Sequence, residues 1–255
     1  MLQQLRAILG RTGQTAEPTE HPPPALDAVI TAAENEILER CRSYTMTSKA
    51  RLLALIDSVG HLVRRGTEGA FVECGVWRGG SVLAMILTLQ QLGAQDRDIY
   101  LFDTFEGMTE PTEYDTSPFH APALADWNAA RRTDSKPWGG LFSGELFNRE
   151  MVEEVLGSTG YPMSHLHFCQ GDVLETIPDS APDRIALLRL DTDWYESTRH
   201  ELEHLYPRLA VGGVLIIDDY GHWEGARRAV DEYFRDQPPL LTRIDYTGRL
   251  AVKGG

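Results

Sequence analysis

Three cysteines in 255 residues (Cys41, Cys74 and Cys169) cannot build a disulfide framework. The fold must rest on its own apolar core, and a reducing, cytoplasmic setting is expected. Positive charge is also scarce: 24 Lys and Arg stand against 38 Asp and Glu, a net charge of −14. A duplex binder needs cations to neutralise phosphates, so nucleic acid is excluded as the main partner. An anionic membrane surface is disfavoured on the same ground. No apolar run approaches the roughly 20 residues of a membrane span; the longest, around Val82 to Leu89, is interrupted by Thr88. The first ten residues carry Gln3, Gln4 and Arg6 where a signal peptide would have its apolar core. A hydrophobic content of 42% excludes wholesale disorder.

What is present is an alternation of strand and helix patterns. Residues 1–25, with Pro18, Pro22, Pro23 and Pro24, are expected to form a flexible arm, and residues 26–255 a single domain. Helical spacing runs from Leu26 to Cys41 and from Ser48, a plausible cap, to Arg64. Short apolar strands follow at 70–74, 98–103, 166–170, 184–190 and 214–217, with helices near 81–92, 145–156, 197–205 and 224–234 between or after them. Leu240 to Ile244 and Arg249 to Val252 flank a turn and predict a terminal hairpin. Such alternation implies an α/β, mostly parallel sheet with helices on both faces, whose ligands sit outside the carboxyl ends of the strands. Glu73, Asp103, Asp172, Asp191 and Asp218 all fall at or just past such an end.

Each acid has a chemical reading. Glu73 precedes Gly75-Val76-Trp77-Arg78-Gly79-Gly80, a turn spaced G-x-x-x-G-G rather than G-x-G-x-x-G. Glycines let a backbone approach a ligand closely. The Glu73 charge repels a pyrophosphate but suits a cationic ligand such as S-adenosylmethionine; a plain tight turn is the alternative. Asp103 stands where an acid typically binds ribose hydroxyls, and the loop Thr104 to Met108 offers an apolar side chain for an adenine face. Asp172, after Gly171, suits an adenine amino group or, equally, a helix cap. Asp191, Asp218 and Asp219, at two strand ends, would repel one another and raise their own pKa values unless a hard cation such as Mg²⁺ joined them. No convincing His or Cys set marks a zinc site. His222 reads as structural and Cys74 as a small buried hydrophobe. Residues 109–147 are long for a connection and predict a lid, with Phe119, Trp127 and Trp138 for apolar contact.

Four stretches, ECGVWRGGS, FDTFEGM, LRLDTDWYEST and GGVLIIDDY, together resemble the macrocin O-methyltransferase family over roughly residues 45–252. The resemblance implies a Rossmann-like, doubly wound class I methyltransferase fold with N-terminal helices and the C-terminal antiparallel hairpin. It implies S-adenosylmethionine and Mg²⁺ as cofactors, and methylation of a sugar hydroxyl on a natural product, as in antibiotic biosynthesis. Carried over by position, Glu73, Cys74, Gly75, Gly79, Ser81, Asp103, Thr104, Phe105, Gly171 and Asp172 would bind the cofactor. Asp191, Asp218 and Asp219 would hold the metal, and Asp193 or Asp191 would act as general base. The expected partner is a small-molecule glycoside, and the expected assembly a homo-oligomer. A catechol-like diol, or an NAD-dependent oxidoreductase on a similar sheet, stands as the alternative.

Overall fold

The computed structural model describes residues 29–144 and 146–255; the expected arm at 1–25, the start of the first helix at 26–28 and Glu145 lie outside them. Residues 33–255 form one compact unit. Two helices lead in, α1 (Ala32–Cys41) and α2 (Lys49–Arg65). Ser48 caps α2 by accepting from Arg51 N, and Gly66 closes it at φ 65°, a left-handed turn that glycine adopts without a Cβ penalty.

The alternating units follow: β1 (Ala70–Cys74), α3 (Gly80–Gln91), β2 (Ile99–Asp103), α4 (Ala123–Arg132), α5 (Arg149–Gly157), β3 (Leu166–Gln170), α6 (Val173–Thr176), β4 (Ile185–Leu190), α7 (Tyr195–Leu205), β5 (Leu209–Ile217), α8 (Glu224–Tyr233), β6 (Thr242–Arg243) and β7 (Arg249–Val252). The sheet order is β3-β2-β1-β4-β5-β7-β6. The first five strands pair in parallel, while β7 joins β5, and β6 joins β7, antiparallel. The doubly wound sheet and its closing hairpin are therefore as the sequence implies. Strands β1 and β4 are buried throughout, which is why they read as unbroken apolar runs. Among the described residues no helix is long and apolar enough to cross a membrane.

Register decides where the acids meet. Cys74 lies opposite both Phe102 and Leu190, and Leu190 lies opposite Ile217. The residues that follow β1, β2, β4 and β5 thus share one rim. The chain order reverses between β1 and β4, the crevice where such sheets bind ligands.

Several boundaries differ from the sequence reading. The long stretch 109–147 contains α4, whose apolar face is too small to announce itself. Helix α5 starts at Arg149, because Asn148 accepts from Met151 N and so sets the cap. Strand β5 begins at Leu209 rather than Val214, since its first residues, with Gly212 at φ 81°, enter irregularly before pairing settles.

Candidate active site

The rim encloses a cavity of about 560 Å³. Its floor is the set of strand ends, and its walls come from residues 44–47, the loop after β2, the 109–147 stretch and the hairpin turn at Tyr246-Thr247.

Gly75 has φ 82°, and a Cβ there would lie 2.0 Å from the Asp191 carbonyl oxygen. The absent side chain admits the neighbouring strand end, so this glycine closes β1 onto β4. Gly80 does likewise against Tyr44, where a Cβ would meet the carbonyl oxygen at 2.4 Å. Asp103 ties two turns together: Oδ2 accepts from Val76 N (2.6 Å) and Trp77 N (2.9 Å), and Oδ1 from Phe105 N (2.7 Å). Burial pushes its carboxyl up, against the pull of those amides.

Of the cofactor residues carried over from the resemblance, Glu73, Gly75, Ser81, Asp103 and Thr104 line the cavity. The other five are not among its lining residues. Cys74 is fully buried, its thiol held well above the ordinary range by burial. Gly79 caps α3 at φ 83° against Val152. Phe105 is buried against Phe168, so its ring offers no adenine face; Met108, Leu141 and Phe142 are among the apolar groups that line the wall. Gly171 leads into Asp172, which caps α6 by accepting from Leu174 N at 2.9 Å, the capping alternative.

At the β1–β4 crevice lies Arg189, fully buried within an apolar strand. Its Nη1 donates to Glu73 Oε1 (2.5 Å) and Asp191 Oδ2 (2.7 Å); its Nη2 donates to Asp218 Oδ1 (2.6 Å) and Thr47 Oγ1 (2.8 Å). Arg51 donates from Nη1 to Asp218 Oδ2 and from Nε to Asp245 Oδ2 (3.0 Å). These arginines correct the expectation that only a bound cation could relieve the acid cluster, for much of the countercharge is covalent. One signal was legible: a lone charge inside Leu187-Leu188-Arg189-Leu190. A buried arginine needs acids around it.

The relief is incomplete. Glu73 is pushed up to about 8, chiefly by burial and next by Asp191, despite Arg189, and among the described residues its buried Oε2 has no hydrogen-bond partner. Asp191, Asp218 and Asp219 each turn a carboxylate oxygen to within 4.8 Å of the others. Asp219 is held well above the ordinary range, first by burial and then by the charges of Asp193 and Asp191, and among the described residues its buried Oδ2 also has no hydrogen-bond partner. Asp193 takes φ 68°, strained for a side chain, and its Oδ1 accepts from Trp223 Nε1 at 2.7 Å. Burial and the Asp191 charge push it up to about 7. Beneath this segment, fully buried Glu201 accepts from Thr192 Oγ1 (2.9 Å), and burial pushes it up to about 8.

One wall of the cavity is aromatic. Trp138, Trp194 and Trp223 run in sequence, with centroids 5.8 and 5.0 Å apart, beside His120, His222 and Tyr246. His222, expected to be structural, stands on the cavity wall, its Nδ1 2.9 Å from Tyr246 Oη. Trp138 of the 109–147 stretch reaches the wall, whereas Phe119 covers His222 from outside. That stretch is rooted by buried Asp115, which accepts from Thr112 N (2.6 Å) and Tyr195 N (2.7 Å).

Comparison with known proteins agrees with this architecture. The family model of macrocin O-methyltransferases matches residues 39–251. A tetracenomycin-C-series 4'-O-methyltransferase of Streptomyces olivaceus, whose substrate name includes a dimethoxy-rhamnosyl group, is 35% identical over 81% of this chain and 74% of its own. Mycinamicin III 3''-O-methyltransferase of Micromonospora griseorubida is 32% identical over 82% of this chain and 77% of its own. The solved O-methyltransferase NovP is 29% identical, covers 83% of each chain and superposes with a TM-score of 0.70. These matches overturn the oxidoreductase alternative, as the missing G-x-G-x-x-G already suggested. Because the family match runs from within α1 into β7, it takes in every strand end that builds the cavity: the chain belongs to the macrocin O-methyltransferase family and is an O-methyltransferase.

Proposed function

We propose that the enzyme transfers the methyl group of S-adenosylmethionine to a sugar hydroxyl of a natural-product glycoside in an antibiotic pathway, with Mg²⁺ held by Asp191, Asp218 and Asp219. The observation that carries this reading is the buried, unpartnered Asp219 Oδ2 within a three-carboxylate set. That is an all-oxygen donor set of the kind a hard divalent cation takes. The rhamnosyl group in the name of the Streptomyces olivaceus relative supports a glycoside over a catechol.

Glu73 and Asp103, at the ends of β1 and β2, would face the positive and ribose portions of the cofactor. When bound, S-adenosylmethionine supplies an electrophilic methyl carbon and Mg²⁺ acidifies the acceptor hydroxyl. Asp193, oriented by Trp223 Nε1 at its Oδ1, accepts the hydroxyl proton. Asp191 is the poorer base because Arg189 Nη1 already occupies its Oδ2 at 2.7 Å. The tryptophan wall, closed by residues 109–147 as a lid, excludes water and grips the glycoside. Holding the acceptor hydroxyl beside the cofactor in this cavity would supply much of the rate.

The test is methyl transfer from labelled S-adenosylmethionine to a panel of glycosides and catechols. Transfer to a sugar hydroxyl is expected, with loss in EDTA and recovery in Mg²⁺. Asp218→Asn should lower kcat strongly and leave cofactor affinity nearly intact. Full activity in EDTA would remove the metal from the reading, and methylation of catechols alone would remove the sugar.

A further inference from the structure

Arg51 stands in the first turn of α2 with its side chain on the cavity wall. It is forked between two acids. Nη1 lies on Asp218 Oδ2, while Nε reaches Asp245 Oδ2 at 3.0 Å and Ser48 Oγ at 3.3 Å. Arg189 already holds the other oxygen of Asp218 at 2.6 Å, so both oxygens of this carboxylate face a guanidinium. Asp191 and Asp219 are differently placed: among the described residues, Arg189 is the side chain that binds Asp191, and Asp219 Oδ2 has no hydrogen-bond partner. Asp245, by contrast, is a fixed mooring outside the acid trio. It accepts from Ser48 Oγ (2.6 Å), Thr247 N (2.9 Å) and Gly248 N (2.8 Å). The guanidinium can therefore release Asp218 without leaving its acid partner at Asp245.

We propose that Arg51 is a built-in competitor for the divalent cation, holding Asp218 in its absence and moored on Asp245 when the cation takes that carboxylate. The inference rests on the metal reading above. Its consequence is a cation site kept weak in the empty enzyme, since a divalent ion must displace or sit beside a fixed positive charge. Tight binding then needs the further oxygens of an acceptor.

The test is Mn²⁺ binding to the full chain without acceptor or S-adenosylmethionine, read by electron paramagnetic resonance and calorimetry. Arg51→Gln, which keeps most of the side chain and loses the charge, should tighten binding by about tenfold or more, the scale of one charge removed near a divalent ion at a solvated site. Arg51→Lys should stay near wild type. Asp245→Asn, which keeps an oxygen for the two amides and removes the charged mooring, should loosen binding. If Arg51→Gln fails to fold, Asp245→Asn decides: unchanged or tighter binding there overturns the proposal. Measurable wild-type binding that Arg51→Gln leaves unchanged or weakens overturns the competitor alone. So does a lysine variant as tight as the glutamine one. No Mn²⁺ bound by any variant, Arg51→Gln included, overturns the competitor, while activity in EDTA decides the metal reading separately.

Discussion

Replacing Arg189 by Met would test whether this side chain holds the rim together. Met keeps much of the stem volume, so the cavity left behind is small and the main loss is charge. Arg189 is 1% exposed and lies within 2.5–2.7 Å of Glu73, Asp191 and Asp218. Removing one partner of a buried ion pair costs about 3–5 kcal/mol. Two features favour the lower end. Arg51 still faces Asp218, and Glu73, pushed up to about 8, already carries its proton over much of the neutral range. The expected loss is about 3 kcal/mol, or roughly 6–12 °C in Tm for a chain of this size. The pH dependence has a definite sign. In the variant the buried carboxyls that face Arg189 lose the countercharge that favours their ionised forms. Their protonated forms fit the fold, so the penalty is absent below the unfolded pKa values and grows as pH rises toward the folded ones. Urea unfolding followed by circular dichroism at pH 5 and pH 8, in chelated buffer, reads both effects. A loss under about 1 kcal/mol at pH 8, or a gap that narrows as pH rises, would refute the reasoning.

Three further outcomes are expected. Glu201→Gln keeps the acceptor for the Thr192 hydroxyl and removes a carboxyl pushed up to about 8. The wild type should lose stability relative to this variant as pH rises from about 4.5 to 8, at up to about 1.4 kcal/mol per pH unit, and parallel melting curves across that window would contradict it. Asp103→Ala should weaken S-adenosylmethionine binding by about 1.5–3 kcal/mol in calorimetry and lower Tm, since the turns at Val76-Trp77 and Phe105 lose their shared acceptor; unchanged affinity would remove the ribose assignment. Deleting residues 117–136 should raise the acceptor KM while cofactor affinity stays close to wild type, and an unaltered KM and product pattern would rule out a lid.

Local chemistry made much of the fold legible. The apolar runs at 70–74 and 185–190 show no alternation because both sheet faces are covered, and Ser48 and the Gly66 turn mark the ends of α2 by their own hydrogen-bonding and φ preferences. The acids of the site were legible too, since a carboxyl just past a buried strand has few places to point except the rim. Helix α4 was not, for its amphipathic signal is weak, and neither was the approach of Tyr246 and Thr247 to the cavity. That approach depends on Thr247 Oγ1 reaching the Asp218 carbonyl at 2.8 Å and on Gly221 leaving room beside Tyr246.

By itself the sequence determined the alternation of elements, the sheet class and the acids at its rim, because these follow from periodicity, caps and strand ends within a few residues. Only the tertiary structure decided how those acids are compensated. Glu73 and Arg189 are 116 positions apart and become partners solely because β1 and β4 pair in one register. A slip of one residue would turn Arg189 to the opposite face and leave the carboxylates without their countercharge. Electrostatic partnership at a distance is a property of register, and register is set by the packing of the whole sheet.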